Sequence, residues 1–380
     1  MNRAPVKVLF LVPTLRQTGP TSQLLNIIRH LDLDRFAPVV VTLSPEPQSS
    51  MLASFVNSGV PVRSLALTRM QSIRRRDWCA DIGRLLGTEL RERVVVHSHG
   101  LRADVISAGQ LGALPRVATA RNYPYDDYVM KYGPFTGRIM AWTHIRAFRR
   151  LPTVVACSST LAEKLRARGL SPLVIRNGVD TERFRPCNPA DRARTRAELG
   201  IPEDTRVGIC VGGLTVRKDP LTVIRAVKAI DQRNMTMIFA GSGELEERCR
   251  REAEGDGRIR FLGHVREVVP YLASADFFVS AAHSEGLPNA VLEAIACGLP
   301  VILSDIEPHR EVLQLAPQAG ELFRLGSEAD LAKAMLRVVT GPSGGAGDGA
   351  EQVRRLISAE RMSREYQELY WELSAQALCR

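Results

Sequence analysis

No Cys-x-x-Cys pair occurs among the seven cysteines of this 380-residue chain, which are scattered at positions 79, 157, 187, 210, 249, 297 and 379. An odd, unpaired set argues against a zinc or disulfide framework and favours a reducing cytoplasm. Long hydrophobic runs are also missing. The longest are strand-sized, such as Val6 to Val12 interrupted by Lys7, whereas a spanning helix needs about 20 apolar residues. Val6 to Pro13 is too short and too near the start for a secretory signal, and no small-residue cleavage site follows. The first strand is followed by LVPTLRQTGPT, which lacks a Gly-x-Gly-x-x-Gly and so speaks against a dinucleotide-dependent dehydrogenase. No His, Cys or Asp cluster has ligand spacing. Asp32 and Asp34 in LDLDR read as a solvated turn, so no metal and no cofactor are expected.

Acidic residues are scarce in one half only. Residues 1 to 180 hold 25 Lys and Arg against 12 Asp and Glu, a balance of +13; the rest holds 26 against 29, a balance of −3. The first half is expected to meet something anionic, such as phosphate, nucleic acid or a lipid surface. An arginine-rich solvated surface is the blander alternative.

What is present is a repeated alternation of strands and helices. VKVLFLV, APVVVTL, VVVHSH, RVATA and TVVACSS are strands of a first series; RVGICVGG, TMIFAGSG, RIRFLG, DFFVSAA and LPVILSD belong to a second. This order predicts two doubly wound parallel sheets of the α/β class, facing across a cleft. The irregular stretch Asn177 to Pro189 marks the linker. The expected division is 1–180 and 181–358, with the helix-rich tail 359–380 packing back on the first domain through Tyr366, Leu369, Tyr370 and Leu373. GPSGGAGDGA, from Gly341 to Ala350, reads as a flexible low-complexity stretch.

The segment HSEGLPNAVLEAIACGLPVI carries the chemistry. It reads as a turn after a strand, then a short helix opening near Asn289 and ended by Gly298. The start of such a helix favours an anion through its backbone N–H groups and dipole. Gly286 lets the backbone approach a ligand closely. A diphosphate fits there, with Glu285 on the turn before it and Glu293 one turn into the helix, placed to accept two adjacent hydroxyls of a ribose. A solvated surface turn with two glutamates is the alternative.

This pattern, Glu285 and Glu293 with seven residues between them, resembles the E-x7-E segment of the retaining family 4 glycosyltransferases of GT-B fold, of the polysaccharide-building type. VIRNGVDTERFRP, VGGLTVRKDP, ACSSTLAEKL and FLGHVREVVPYL are similar to further motifs of that family, so the resemblance covers most of the chain. It implies a nucleotide-sugar donor bound by the second domain. Lys218 would bind the diphosphate, Glu285 the transferred sugar and diphosphate, and Glu293 the ribose. Gly286, Leu287, Pro288, Asn289 and Ala290 would line the phosphates, and the backbone of His264 and Val265 would receive the base. The family places an Arg five residues before the Lys; Gly213 stands there, and Arg217 is the neighbour that could replace it. In the first domain, His99 would touch the donor sugar and Gly19, in the first strand-to-helix loop, the donor phosphate or the acceptor. TARNYPYDDYVMKYG reads as a long loop, similar to the acceptor-side region of the family, with Arg121, Asn122 and Tyr123 as acceptor contacts. RIMAWTHIRAFRRL reads either as an interfacial helix or as a helix packed on the sheet.

The resemblance thus implies a metal-independent glycosyltransferase of bacterial polysaccharide or glycolipid synthesis, with His99, Glu285 and Lys218 at the reaction centre. Its partners are a nucleotide-sugar, a saccharide or lipid-linked acceptor and an anionic membrane surface, with no nucleic acid. It would be cytoplasmic and peripheral on the inner face of the membrane. A sugar-nucleotide epimerase of the same architecture and a non-enzymatic nucleic-acid binder are the alternatives.

Overall fold

A computed structural model describes residues 4–68, 71, 77–86, 93–112, 114–341 and 349–378. Arg74, Arg75 and Arg76 and most of the glycine-rich stretch after Gly341 lie outside the described residues. The chain divides into two compact units, Met1–Gly178 with Ala359–Arg380, and Val179–Ser358.

The first unit holds β1 (Val6–Val12), β2 (Phe36–Thr42), β3 (Val62–Ser64), β4 (Val94–Ser98), β5 (Arg116–Ala120), β6 (Thr153–Ala156) and β7 (Leu173–Val174). They form one sheet in the order β3-β2-β1-β4-β5-β6-β7, and every pairing is parallel. Central strands read as continuous apolar runs because helices cover both faces: Val8, Leu9, Phe10 and Leu11 are all fully buried. The aromatic stripe of the last helix, Ala359–Leu378, is a packing face. Met362, Tyr366, Leu369, Tyr370 and Leu373 join the core built by Phe10, Phe36, Leu24, Ile27 and Ile28. The Ser363 hydroxyl donates to the Ile27 carbonyl at 2.7 Å, fixing that helix on its neighbour.

The second unit holds β8 (Arg206–Val211), β9 (Met235–Ala240), β10 (Ile259–Gly263), β11 (Phe277–Ser280), β12 (Val301–Ser304) and β13 (Gly320–Phe323). Its parallel order is β10-β9-β8-β11-β12-β13. In both sheets the strand order reverses beside the first strand of the series. Ligands of open parallel sheets bind beyond the carboxyl ends at that point.

Two expectations change. The stretch 121–133 is not a long loop: a helix spans Pro124–Tyr132 and only three residues separate it from β5. Pro124 opens it with a preset φ, and Asp126 and Asp127 lie in its first turn, where the helix dipole favours anions. Gly19 is not in the loop either. It is the first residue of the helix Gly19–Arg29, with Pro20 behind it pre-shaped for a first turn.

Candidate functional site

Four loops at the carboxyl edge of the second sheet carry the site. The loop after β8 opens with Gly212 at φ +140, where a Cβ would stand 3.4 Å from Lys218 Cε. The φ is what favours glycine here, and the lysine stem lies alongside at ordinary contact distance. The loop after β9 opens with Gly241, whose Cβ would fall 1.9 Å from the Gly212 carbonyl oxygen. Only a glycine at 241 lets these two backbones touch. Gly213 continues the first turn in tight quarters, where a Cβ would stand 3.3 Å from Thr215 Cγ2.

The β8 loop then meets the turn after β11. The backbone N–H of His283 donates to the Arg217 carbonyl at 2.8 Å. Arg217 Nη1 donates to the Ser284 carbonyl at 2.7 Å and to Glu285 Oε2 at 2.9 Å. Lys218 Nζ forms a short ion pair with the other oxygen, Glu285 Oε1. The Glu285 side chain is only 7% exposed. Burial alone would raise its carboxyl, but Lys218 and Arg217 outweigh it and hold it at about 2. It is therefore a full carboxylate, and it holds two cations side by side.

Asp219 completes the junction. It sits in the left-handed region at φ +46, which non-glycine residues rarely adopt. Its carboxylate caps the helix Pro220–Ala229 through the Thr222 N–H and hydroxyl, at 3.3 and 2.6 Å. It also faces His283 Nε2 at 3.1 Å, a partner that raises the imidazole above its ordinary value.

The helix Asn289–Ala296 follows the turn, with Pro288 as its N-cap residue and no side-chain cap bond. Leu287 is buried and Gly286 with it, while Asn289 and Ala290 are partly exposed. Glu293 lies one turn in. Burial pushes its carboxyl up to about 7, with Arg183 pulling down and Glu267 pushing up. Arg183 is itself paired with Glu267 at 2.8 Å. Gly298 ends the segment at φ +85, as a C-terminal glycine should. His264 and Val265 follow β10, with His264 exposed. His309 lies beyond β12. It is wholly buried, and its Nδ1 is 2.8 Å from the Ser304 carbonyl. Burial holds its imidazole down at about 4, and Glu285 is near enough to counteract this in part.

The carboxyl edge of the first sheet carries His99, directly after β4, and Arg121, directly after β5. His99 is buried, its ring 4.1 Å from that of His97. Burial, then His97, then Arg121 hold it well below its ordinary value, so it is neutral. His97 is locked by Tyr370 Oη and Thr119 Oγ1, each at 2.7 Å. Asn122 Nδ2 lies 3.4 Å from Asp127, and Tyr123 Oη accepts from Arg168 Nε at 2.8 Å. Gly19 is exposed. The helix Pro134–Phe148 exposes Phe135 (78%), Ile139 (51%) and Trp142 (52%) on one face. The Arg146 guanidinium lies 5.3 Å over the Trp142 ring.

Asp219, His283, His309 and His97 were not foreseen as parts of either site. The sequence signal for the first three was only their place one to five residues after a strand or motif residue. Among the described residues no group of three or more His, Cys, Asp or Glu could hold a metal ion, and no helix is long and apolar enough to cross a membrane.

Comparison with known proteins adds to this geometry. Residues 205–341 match the family model described as glycosyl transferases group 1, and residues 18–178 match the glycosyl transferase 4-like domain. A GDP-mannose-dependent monoacylated alpha-(1-6)-phosphatidylinositol monomannoside mannosyltransferase of Corynebacterium glutamicum is 35% identical over 33% of this chain and 36% of its own length. The UDP-Gal:alpha-D-GlcNAc-diphosphoundecaprenol alpha-1,3-galactosyltransferase of Escherichia coli is 27% identical over 56% of this chain and 58% of its own. The chain thus spans well under two thirds of the length of these curated relatives. Among solved structures, Anabaena Alr3699/HepE in complex with UDP and glucose superposes with a TM-score of 0.79 at 18% identity, covering 96% of this chain and 99% of that one. WaaG, a glycosyltransferase involved in lipopolysaccharide biosynthesis, gives 0.65 at 17%, covering 97% and 98%. At these identities the structural matches speak for the fold alone, and the fold is that of these GT-B enzymes.

Proposed function

Because the chain belongs to the group 1, family 4-like glycosyltransferases, we propose that it moves a sugar from a nucleoside-diphosphate donor to a saccharide or lipid-linked saccharide, in bacterial polysaccharide or glycolipid synthesis. The observation that carries this reading is the pairing of Lys218 and Arg217 on one buried carboxylate, Glu285. Two cations parked on a single carboxylate, beside the N-terminus of the Asn289–Ala296 helix, form a ready cradle for a diphosphate. Gly213 leaves the place of the usual second cation empty of charge, and Arg217 supplies that charge from four residues further on.

In the reaction the bond from the anomeric carbon to the diphosphate oxygen breaks. A bond to the acceptor oxygen forms, and the proton of the acceptor hydroxyl passes to the diphosphate oxygen that leaves. Lys218 and Arg217 offset the charge that builds on the leaving diphosphate, the task a metal performs elsewhere, so the proposed enzyme needs none. Glu285 faces the transferred sugar and returns its cations to the diphosphate. Glu293 accepts the ribose hydroxyls, and the backbone at His264 and Val265 receives the base. On the family resemblance, His99, neutral and buried, is proposed as a contact to the donor sugar. Retention of anomeric configuration is part of the proposal and rests on the family resemblance.

The acceptor side is the basic one. Phe135, Ile139 and Trp142 with Arg146 give an apolar face rimmed by positive charge, which suits the interface of an anionic membrane carrying a lipid-linked acceptor. The proposed place of action is the cytoplasmic face. No observation favours the epimerase or the nucleic-acid reading. A screen of UDP-, GDP- and ADP-sugars by thermal shift tests the proposal: a true donor raises the melting temperature by mass action. No shift with any nucleotide sugar would contradict it.

A further inference from the structure

Arg121 follows β5 at the carboxyl edge of the first sheet. Its Nη1 donates a short hydrogen bond to Asn177 Oδ1, and Asn177 is itself 3% exposed. Its other two donor atoms, Nε and Nη2, are shielded from solvent and have no hydrogen-bond partner. Among the described residues no ion pair or hydrogen bond joins Arg121 to a carboxylate. A guanidinium cannot shed its charge, and two of its donors shielded from water without a partner are costly. Such an arrangement persists where something outside the protein supplies the counter-charge.

The geometry says what that is. Nε and Nη2 lie on one edge of the guanidinium plane, the edge that presents two parallel N–H bonds to two oxygens of a single oxyanion. Asn177 holds the opposite corner and so fixes the plane. On the neighbouring strand His99 adds two more buried nitrogens without partners, and it is 6% exposed. Arg121 and His99 leave adjacent strands at the same sheet edge, β5 pairing with β4 through Ala118 and Ser98. The tyrosines near them, Tyr366 and Tyr370, are neutral and already bonded to Thr119 and His97.

We propose that Arg121, oriented by Asn177 and flanked by His99, is a side-on binding site for one oxyanion, a phosphate or carboxylate group carried by the acceptor saccharide. The identification of the bearer as an acceptor rests on the glycosyltransferase reading; the oxyanion site itself does not. It makes an acidic or phosphorylated sugar the favoured acceptor.

The test is a set of thermal-shift titrations on the full chain, at constant ionic strength made up with chloride. The probes are inorganic phosphate, glucose 1-phosphate and glucuronate, with UDP and GDP run in parallel. The variants are Arg121→Gln, Arg121→Lys and Lys218→Ala. Without ligand, Arg121→Gln should melt at or above the parent temperature, because it removes a charge whose shielded donors Nε and Nη2 have no partner. It should respond to the oxyanions with affinity about 10- to 100-fold weaker, the usual loss for charged hydrogen bonds. Arg121→Lys should respond weakly too, since an ammonium keeps the charge and loses the fork. Lys218→Ala should lose its nucleoside diphosphate response and keep the part of the oxyanion response that Arg121→Gln loses. A larger shift with glucose 1-phosphate or glucuronate than with inorganic phosphate supports a saccharide bearer, and a response to inorganic phosphate alone contradicts it. The oxyanion site is overturned if no probe shifts the parent, or if Arg121→Gln responds as the parent does. Nucleoside diphosphate binding that survives such a failure leaves the glycosyltransferase reading standing; its absence, with the Arg121 response intact, removes that reading alone.

Discussion

The imidazole Nε2 of His283 lies 3.1 Å from the carboxylate of Asp219, and this contact joins the two loops that carry Lys218 and Glu285. The His283 N–H to Arg217 carbonyl bond reinforces it. The cationic pair is therefore positioned by its neighbours as well as by its own charge. It also explains why Asp219 tolerates its left-handed backbone: helix cap, threonine and histidine together fix it.

His283→Ala should weaken nucleoside diphosphate binding by up to about fivefold, the upper range for a partly exposed ion pair. The effect has a direction in pH. The His283 imidazole is raised above its ordinary value of 6.5 by Asp219, so the contact is fully present below about that pH and is lost as pH rises through the shifted value. The parent should lose affinity across that range, and the variant should lack this decline. Calorimetric titrations at stepped pH would show it.

Lys218→Ala should lower turnover by roughly 10²–10³-fold, as expected when a group stabilising developing charge is removed. Arg217→Ala should also slow the reaction, because it bears on the same carboxylate. A kinetically silent Arg217→Ala would show that Arg217 does not replace the cation missing at Gly213.

Glu293→Gln should weaken nucleotide binding by about 1–3 kcal/mol, as for a charged hydrogen bond. With its carboxyl raised to about 7, the parent side chain ionises as pH rises through neutrality, and its ribose contact should strengthen there. The same raised value works against folding in that range: stability from this group is full below the ordinary 4.5 and fades as pH climbs through about 7. The glutamine variant should show neither trend in calorimetry and denaturant unfolding. The His283 and Glu293 terms oppose each other, so the two single variants are needed to separate them.

Gly241→Ala should destabilise the second unit by about 1–3 kcal/mol, the usual cost of forcing an atom into a packed contact. Its Cβ would stand 1.9 Å from the Gly212 oxygen, so the Lys218 loop must move. Chemical denaturation should register the loss, together with weaker diphosphate binding.

Phe135→Ser with Trp142→Ser should reduce cosedimentation with anionic vesicles, and high salt should reduce it further through screening. Binding by the parent that ignores lipid charge and salt would contradict membrane attachment through this face.

Both parallel sheets were legible because buried strands in such sheets are near-continuous apolar runs. The strand–turn–helix around Glu285 was legible through its own punctuation, above all Gly298 as helix stop. The helix Pro124–Tyr132 was not. PYDDYVMKY is polar and aromatic, with no apolar stripe, and its helicity comes from its proline start and first-turn aspartates. The helix Pro189–Glu198, PADRARTRAE, was hidden for the same reason; Asn188 caps it and Arg192 and Arg196 anchor it to Asp276. Asp219, His283 and His309 escaped because a single histidine or aspartate in a sequence does not announce its partner. Their pairing is made by loops that approach only in three dimensions. Arg121 could be named as an acceptor contact from the polar and aromatic stretch it opens and the family resemblance, but its unpaired edge is visible only when every neighbour is placed.

The central claim is that Lys218 and Arg217 on Glu285 form a diphosphate site. It is tested most directly by calorimetric titration of the parent and of Lys218→Ala with the diphosphate and monophosphate of the uridine or guanosine nucleoside. The account predicts that the parent binds the diphosphate at least about tenfold more tightly than the monophosphate, one charged hydrogen bond's worth, and that Lys218→Ala loses that preference. Equal binding of the two nucleotides by the parent, or an undiminished preference in Lys218→Ala, would contradict it.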